Sequence, residues 1–198
     1  TIAESFFDEN HLVVGTDDGL IQVTTDGGKN WKKVDNIPGV PERTYVNQII
    51  ASRHDKNVFY AAFNHHRYGN FHPYLYKSTD GGFTWAPIQG DLPERGSVYT
   101  IGEDHVNKNL LFAGTEFGVF FTIDGGGHWI QLKGGLPTVA VRDLAIQRDE
   151  NDLVLATFGR GFYILDDYSV LRDLKKEDLS KPALLSPEKK SWMFIETR

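Results

Sequence analysis

Apolar residues in this chain come in short runs cut by Gly, Asp, Asn and Pro, and no long stretch keeps the spacing of an amphipathic helix. Such runs read as strands. The first four fall at Thr1–Ser5, His11–Gly15, Leu20–Thr24 and Trp31–Val34. The order then repeats: Tyr45–Ala51, Val58–Phe63, Tyr74–Ser78 and Trp85–Gln89, followed by Val98–Asp104, Leu110–Thr115, Val119–Thr122 and Trp129–Leu132. A fourth unit runs Ala140–Gln147, Leu153–Thr157 and Gly161–Leu165, and then loses the pattern. Val170–Leu179 reads as a short helical or linker segment, and Lys181–Pro187 and Ser191–Ile195 as strands outside the repeat.

Between the third and fourth strands of each full unit lies one octet: Thr24 to Trp31, Ser78 to Trp85 and Thr122 to Trp129. Each has a hydroxyl, a free residue, Asp, Gly-Gly, two variable residues and Trp. The Asp can accept from backbone N–H groups that follow it, and the glycines can take positive φ. The hydroxyl ties the entering strand to the same loop, and the indole covers it with a large apolar ring. The octet therefore reads as a hairpin staple. Asp26, Asp80 and Asp124 are expected as turn formers rather than catalytic carboxylates or calcium ligands. Trp31, Trp85 and Trp129 are expected in the core between neighbouring sheets. The Asp-to-Asp intervals are 54 and 44 residues, and Asp166, 42 residues further, marks a degenerate fourth copy without the glycines or the Trp.

Radially repeated four-stranded sheets at this period mean a β-propeller. The expectation is all-β, with four antiparallel blades over about residues 1–43, 44–97, 98–138 and 139–168, and a C-terminal linker or extension over 169–198. Four blades leave two open sheet edges on the arc, so it is expected to belong to a larger ring of seven or more blades, completed by an upstream segment or by another chain.

Composition narrows the function classes. A net charge of −6 and the lack of a clustered Lys/Arg patch argue against a nucleic-acid surface. No apolar run reaches the roughly 18–20 residues of a membrane span. Cysteine is absent, which removes disulfides and thiolate metal sites. No phosphate-cradling loop is present either, because the Gly-Gly pairs sit in hairpins.

The octets, with the ending Gly159 to Asp167 (Gly-Arg-Gly-Phe-Tyr-Ile-Leu-Asp-Asp), resemble the Asp-box, or bacterial neuraminidase repeat, propellers. The likeness covers about residues 1–168 and is nearest to large bacterial sortilin-like or "glycosyl hydrolase" proteins. It implies that the octets lie on the face opposite the usual ligand site, and that the protein acts outside the cell or in the periplasm.

In a propeller, the loops joining second to third strands share one rim with those joining consecutive blades. That rim would carry Asp17, Asp18, His65, His66, Arg67, Tyr68, Glu116, Phe117 and Arg160, with Arg43, Glu94 and Arg95 between blades. The stretch from Asn64 to Pro73, much longer than its counterpart Asp17-Asp18-Gly19, mixes imidazoles, a guanidinium and rings, as binding loops do. A metal site on His65, His66 and His72 is not expected, because adjacent strand-like residues point oppositely. Asp18, Glu116 and Asp143 are the candidate catalytic carboxylates, but glycoside hydrolysis needs a pair about 5–9.5 Å apart. Arg142 and Asp143 on an inner strand are expected to staple neighbouring blades, the alternative being a ligand contact in the axial channel. The sialidase plan of three converging arginines cannot be assembled from Arg43, Arg95 and Arg160. The expected function is a non-catalytic module, without cofactor or metal, that binds a protein, peptide or glycan on the rim. The alternative is one wall of a glycoside hydrolase of the xyloglucanase or sialidase kind.

Overall fold

The computed structural model describes residues 1–34, 36–181 and 183–186. Four antiparallel sheets follow one another along the chain, each built in strict sequence order. The first holds β1 (Ile2–Ser5), β2 (Asp8–Gly15), β3 (Ile21–Thr24) and β4 (Lys32–Val34). The second holds β5 (Tyr45–Ala51), β6 (Phe59–Asn64), β7 (Tyr74–Ser78) and β8 (Ala86–Pro87). The third holds β9 (Val98–Glu103), β10 (Leu111–Thr115), β11 (Gly118–Thr122) and β12 (Ile130–Gln131). The fourth, expected with four strands, has three among the described residues: β13 (Val141–Gln147), β14 (Asp152–Thr157) and β15 (Gly161–Leu165).

Strand alternation explains how the sheets stack. In β6, Phe59, Ala61 and Phe63 face the first sheet and join Val13, Ile21 and Val23 in one core. The residues between them, Tyr60 and Ala62, face the third sheet and pack with Ile101, Leu111 and Ala113. In β10 the same switch turns Phe112 toward Leu153, Leu155 and Tyr168 of the fourth unit. Middle strands are thus apolar on both faces, because each lies between two neighbours.

The octets close the outer corners as hydrogen-bonded turns. Asp26 Oδ1 accepts from Thr24 Oγ1 at 2.8 Å and from the Asn30 N–H at 2.9 Å. Asp80 repeats this with Ser78 and Thr84, and Asp124 with Thr122 and His128. The glycine after each Asp donates to the carbonyl of Asn10, Asn57 or Asn109, tying the octet to the first turn of its own sheet.

The fourth unit keeps that tie with other residues. Tyr168 N–H donates to the Asn151 carbonyl at 2.9 Å. The residue before it, Asp167, therefore holds the octet's Asp position, not Asp166 as the spacing suggests. Asp167 has a φ of 48°, and a short 3₁₀ turn at Tyr168–Arg172 follows. The fully buried Tyr168 packs edge-on against Phe112 and donates to Asp104 Oδ1 at 2.6 Å. Arg172 grips both oxygens of Asp104, at 2.9 and 2.8 Å. Burial would raise the Asp104 pKa, but the bonds from Arg172 and Tyr168 outweigh it and hold it at about 2.

The indoles differ. Trp85 and Trp129 are buried against the preceding sheet, whereas Trp31 is 43% exposed. The expectation of a buried Trp31 fails because no described residue packs on that face of the first sheet. Past Arg172 a second 3₁₀ turn covers Asp178–Ser180, and residues 183–186 form no strand. The expected strand at Ser191–Ile195 lies outside the described residues.

Candidate functional site

The second-to-third loops and the inter-sheet loops meet on the side away from the octets. Val46 N–H donates to the Thr16 carbonyl, Glu116 N–H to Ser97, Phe158 N–H to Ala140 and Gly96 N–H to Phe71. The last three bonds each join one loop of each kind, and the first ties a second-to-third loop to the start of β5, so the rim is a bonded structure.

A cleft of about 140 Å³ opens on this rim between the first two sheets, lined by Asp17, Asp18, Arg43, Tyr45, Asn64, Arg67 and Tyr68. A larger hollow of about 450 Å³ adjoins it on Asp18, Asn36, Pro41, Glu42 and Arg43. The long loop enters the cleft through a 3₁₀ turn at His66–Tyr68, ended by Gly69 in the left-handed region. Thr44 Oγ1 donates to the Pro41 carbonyl at 2.6 Å, leaving its oxygen to accept from His65 Nδ1 at 2.8 Å. The His65 ring stacks on Tyr68 at 4.6 Å, and burial lowers its proton affinity, so a neutral imidazole positions the exposed phenol. Arg43 has a φ of 58°, a strained setting for a side-chain-bearing residue.

The histidines divide among separate partners. His65 goes to Thr44 and Tyr68, His66 to Asn64 Oδ1, and His72 edge-on to Tyr74.

The carboxylates are dispersed. Asp18 accepts from Thr16 Oγ1 in its own loop. Asp143 Oδ1 accepts from Thr100 Oγ1 at 3.4 Å and from the Leu144 N–H at 2.9 Å, linking the third and fourth sheets. Glu116 sits in the third-sheet turn with Phe117, which is 42% exposed beside Gly96. Arg160 lies in the fourth-sheet turn, away from the cleft residues.

The residue strings alone did not disclose the rings that hold the rim guanidiniums. Arg67 lies over Tyr45 at 5.8 Å, Arg95 over Phe71 at 5.1 Å, and Arg142 between Tyr99 at 3.9 Å and Phe158 at 5.2 Å. Among the described residues none of these three arginines has a carboxylate within ion-pair distance. Each ring comes from a different stretch of chain, and only the recurrence of an aromatic near each strand start could have hinted at it.

No family model and no curated protein sequence matches this chain. Solved structures do. A GH74 enzyme of Niastella koreensis superposes with a TM-score of 0.65 at 14% identity, over 85% of this chain and 28% of that one. A structure titled YCF48 bound to D1 peptide gives 0.62 at 18% identity, over 84% of this chain and 50% of that one. The extracellular domain of a putative one-component system from B. thetaiotaomicron gives 0.62 at 16%, over 85% and 21%. The chain thus spans half or less of each. What it shares with all three is the β-propeller fold.

Proposed function

We propose that this chain is the arc of a larger β-propeller, of the Asp-box kind, that binds a peptide, protein or glycan segment on the rim opposite the octets without performing chemistry there. The carrying observation is the cleft between the first two sheets, where two guanidiniums and two phenols converge on a rigid, bonded rim. Arginine and tyrosine offer large, pre-organised contact at low entropic cost, and they dominate binding energy at interfaces. Strained backbone at Arg43 stands at that cleft, where a cost of about 1–3 kcal/mol is tolerated for function. The peptide-bound YCF48 neighbour supports a peptide reading, and the extracellular neighbour supports action outside the cell.

The larger ring is argued from the two end faces. Ile2 and Trp31 are exposed on the first sheet, and Phe162 (76%) and Ile164 (60%) on the last. The two middle sheets bury or half-bury the same positions, so further blades, from this polypeptide or another, would cover them. In sedimentation the isolated chain should self-associate through these faces; a stable, compact monomer counts against the ring.

For the rim, the chain is screened against an immobilised peptide library and a glycan panel. Arg67→Gln and Tyr68→Ala should each weaken the selected binder at least about tenfold, as hot-spot truncations do. Binding unchanged in both variants defeats the proposal. Turnover of a glycan, abolished by Asp18→Asn or Glu116→Gln, would establish the hydrolase reading that the GH74 neighbours suggest.

A further inference from the structure

The repeat register brings four side chains to one place on the axis, on the octet face. Ser5, Ser52 and Asp104 are equivalent: each is the last residue of an inner strand or the one just past it, is buried, and accepts from the backbone N–H two residues on. The pairing of Leu12 with Thr24, Phe59 with Ser78, Leu111 with Thr122 and Leu153 with Leu165 sets the same register across the four sheets. Gln147 takes the equivalent position in the fourth sheet, where it is exposed. The next residue in each sheet is Phe6, Arg53, His105 and Arg148, one from each.

All four line a single cavity of about 260 Å³ whose walls include Ile50 and Ile146. The Arg53 guanidinium carbon lies over the Phe6 ring, 3.8 Å from its centre, which holds it across the boundary between the first two sheets. Burial and the nearby charge of Arg148 both lower Arg53's proton affinity, while Glu103 partly offsets them. Glu103 is committed elsewhere: it accepts from Ser52 Oγ, Arg53 N–H and Tyr60 OH. Asp104, beside His105, is held by Arg172 and Tyr168. Among the described residues no carboxylate lies within ion-pair distance of the Arg53 or Arg148 guanidinium.

We propose that this arc of Phe6, Arg53, His105 and Arg148 is a second binding site, for an organic carboxylate with an apolar body. Two like charges held at the mouth of an apolar wedge are relieved by an anion, and the guanidinium fork matches a carboxylate. The aliphatic walls then take the ligand's apolar part. The site is independent of the rim cleft, since it lies at the opposite ends of the strands. The carboxylate could belong to a small molecule or to a peptide.

Two acids, 4-phenylbutyrate and acetyl-Leu-Phe-Glu-amide, are titrated into the full chain by calorimetry and amide-resolved NMR, each against its neutral amide counterpart. At least one acid should bind saturably and shift the Gly102 and His105 amides. Its counterpart should bind at least about tenfold more weakly, a difference in the range of a charge-assisted hydrogen bond. Arg53→Gln and Arg148→Gln, both at exposed positions, should each weaken the acid to a similar degree, while Arg67→Gln on the rim should not. Preference for phenylbutyrate or for the peptide identifies the source. No saturable binding of either acid, equal binding of acid and amide, or binding untouched by both arginine variants overturns the proposal.

Discussion

The indole N–H of Trp129 donates to the backbone carbonyl of Ile88 at 2.9 Å, so an octet of the third sheet is fastened to the outermost strand region of the second. Trp85 instead donates to its own turn at Gly82 while packing on the first sheet. A motif that closes one hairpin thereby also spaces neighbouring blades.

Trp129 and Trp31 should respond unequally to mutation. Trp129→Phe should cost about 1 kcal/mol through the lost hydrogen bond, and Trp129→Ala about 3–5 kcal/mol through the cavity. Trp31→Ala, on an exposed ring, should cost below about 1 kcal/mol. Urea denaturation of the three variants decides; equal losses would contradict the account.

Gly126 and Gly28 hold the same octet position with positive φ, but their surroundings differ. A Cβ on Gly126 would lie 2.7 Å from the Ile88 Cβ and carbonyl, whereas one on Gly28 meets only Trp31, at 3.7 Å. Both variants share the backbone strain, so the comparison isolates the inter-sheet clash. Gly126→Ala should be less stable than Gly28→Ala by at least about 1 kcal/mol, the low end of overpacking penalties. Thermal melts of the pair would show it.

Acid should loosen the link between the third and fourth sheets. The Asp104 pKa, about 2 in the folded chain, lies below the ordinary aspartate value, so its contribution is present above about pH 4. It is lost as pH falls toward 2, when the carboxylate takes up a proton and releases Arg172. Asp26, held at about 2 by Asn30 and Thr24, acts in the same direction. Asp104→Asn should remove about 3–5 kcal/mol at neutral pH by leaving Arg172 unpaired, and should flatten the stability profile between pH 4 and 2. Denaturant titrations across that window measure both effects.

Relieving the strain at Arg43 should separate stability from binding. Arg43→Gly removes the Cβ conflict at a φ of 58° and should be neutral or stabilising by up to about 1 kcal/mol. The same change deletes a cleft guanidinium and should weaken the rim ligand. Loss of stability without loss of binding would argue that Arg43 is a packing residue.

The octets and strand order were legible in the residues because they are local. A hydroxyl bonding an Asp two residues on, and an Asp capping an N–H four residues on, need no distant partner. β6, apolar without a break from Phe59 to Phe63, is a run of the kind that a strand with two covered faces requires. The degenerate fourth copy was misplaced by one residue, since its tie to Asn151 is made by a tyrosine with no octet signature.

Sequence by itself therefore determined the blades, their turns and the side on which the connecting loops gather, through interactions spanning a few residues. Tertiary structure alone decided which indole is buried, which rings hold the rim arginines, and that Phe6, Arg53, His105 and Arg148 form one arc. Those relationships join residues far apart in the chain, and they depend on a register between sheets that no single unit contains. Short-range hydrogen bonding can be read from neighbours in the chain, but charge and packing across blades exist only once the blades are stacked.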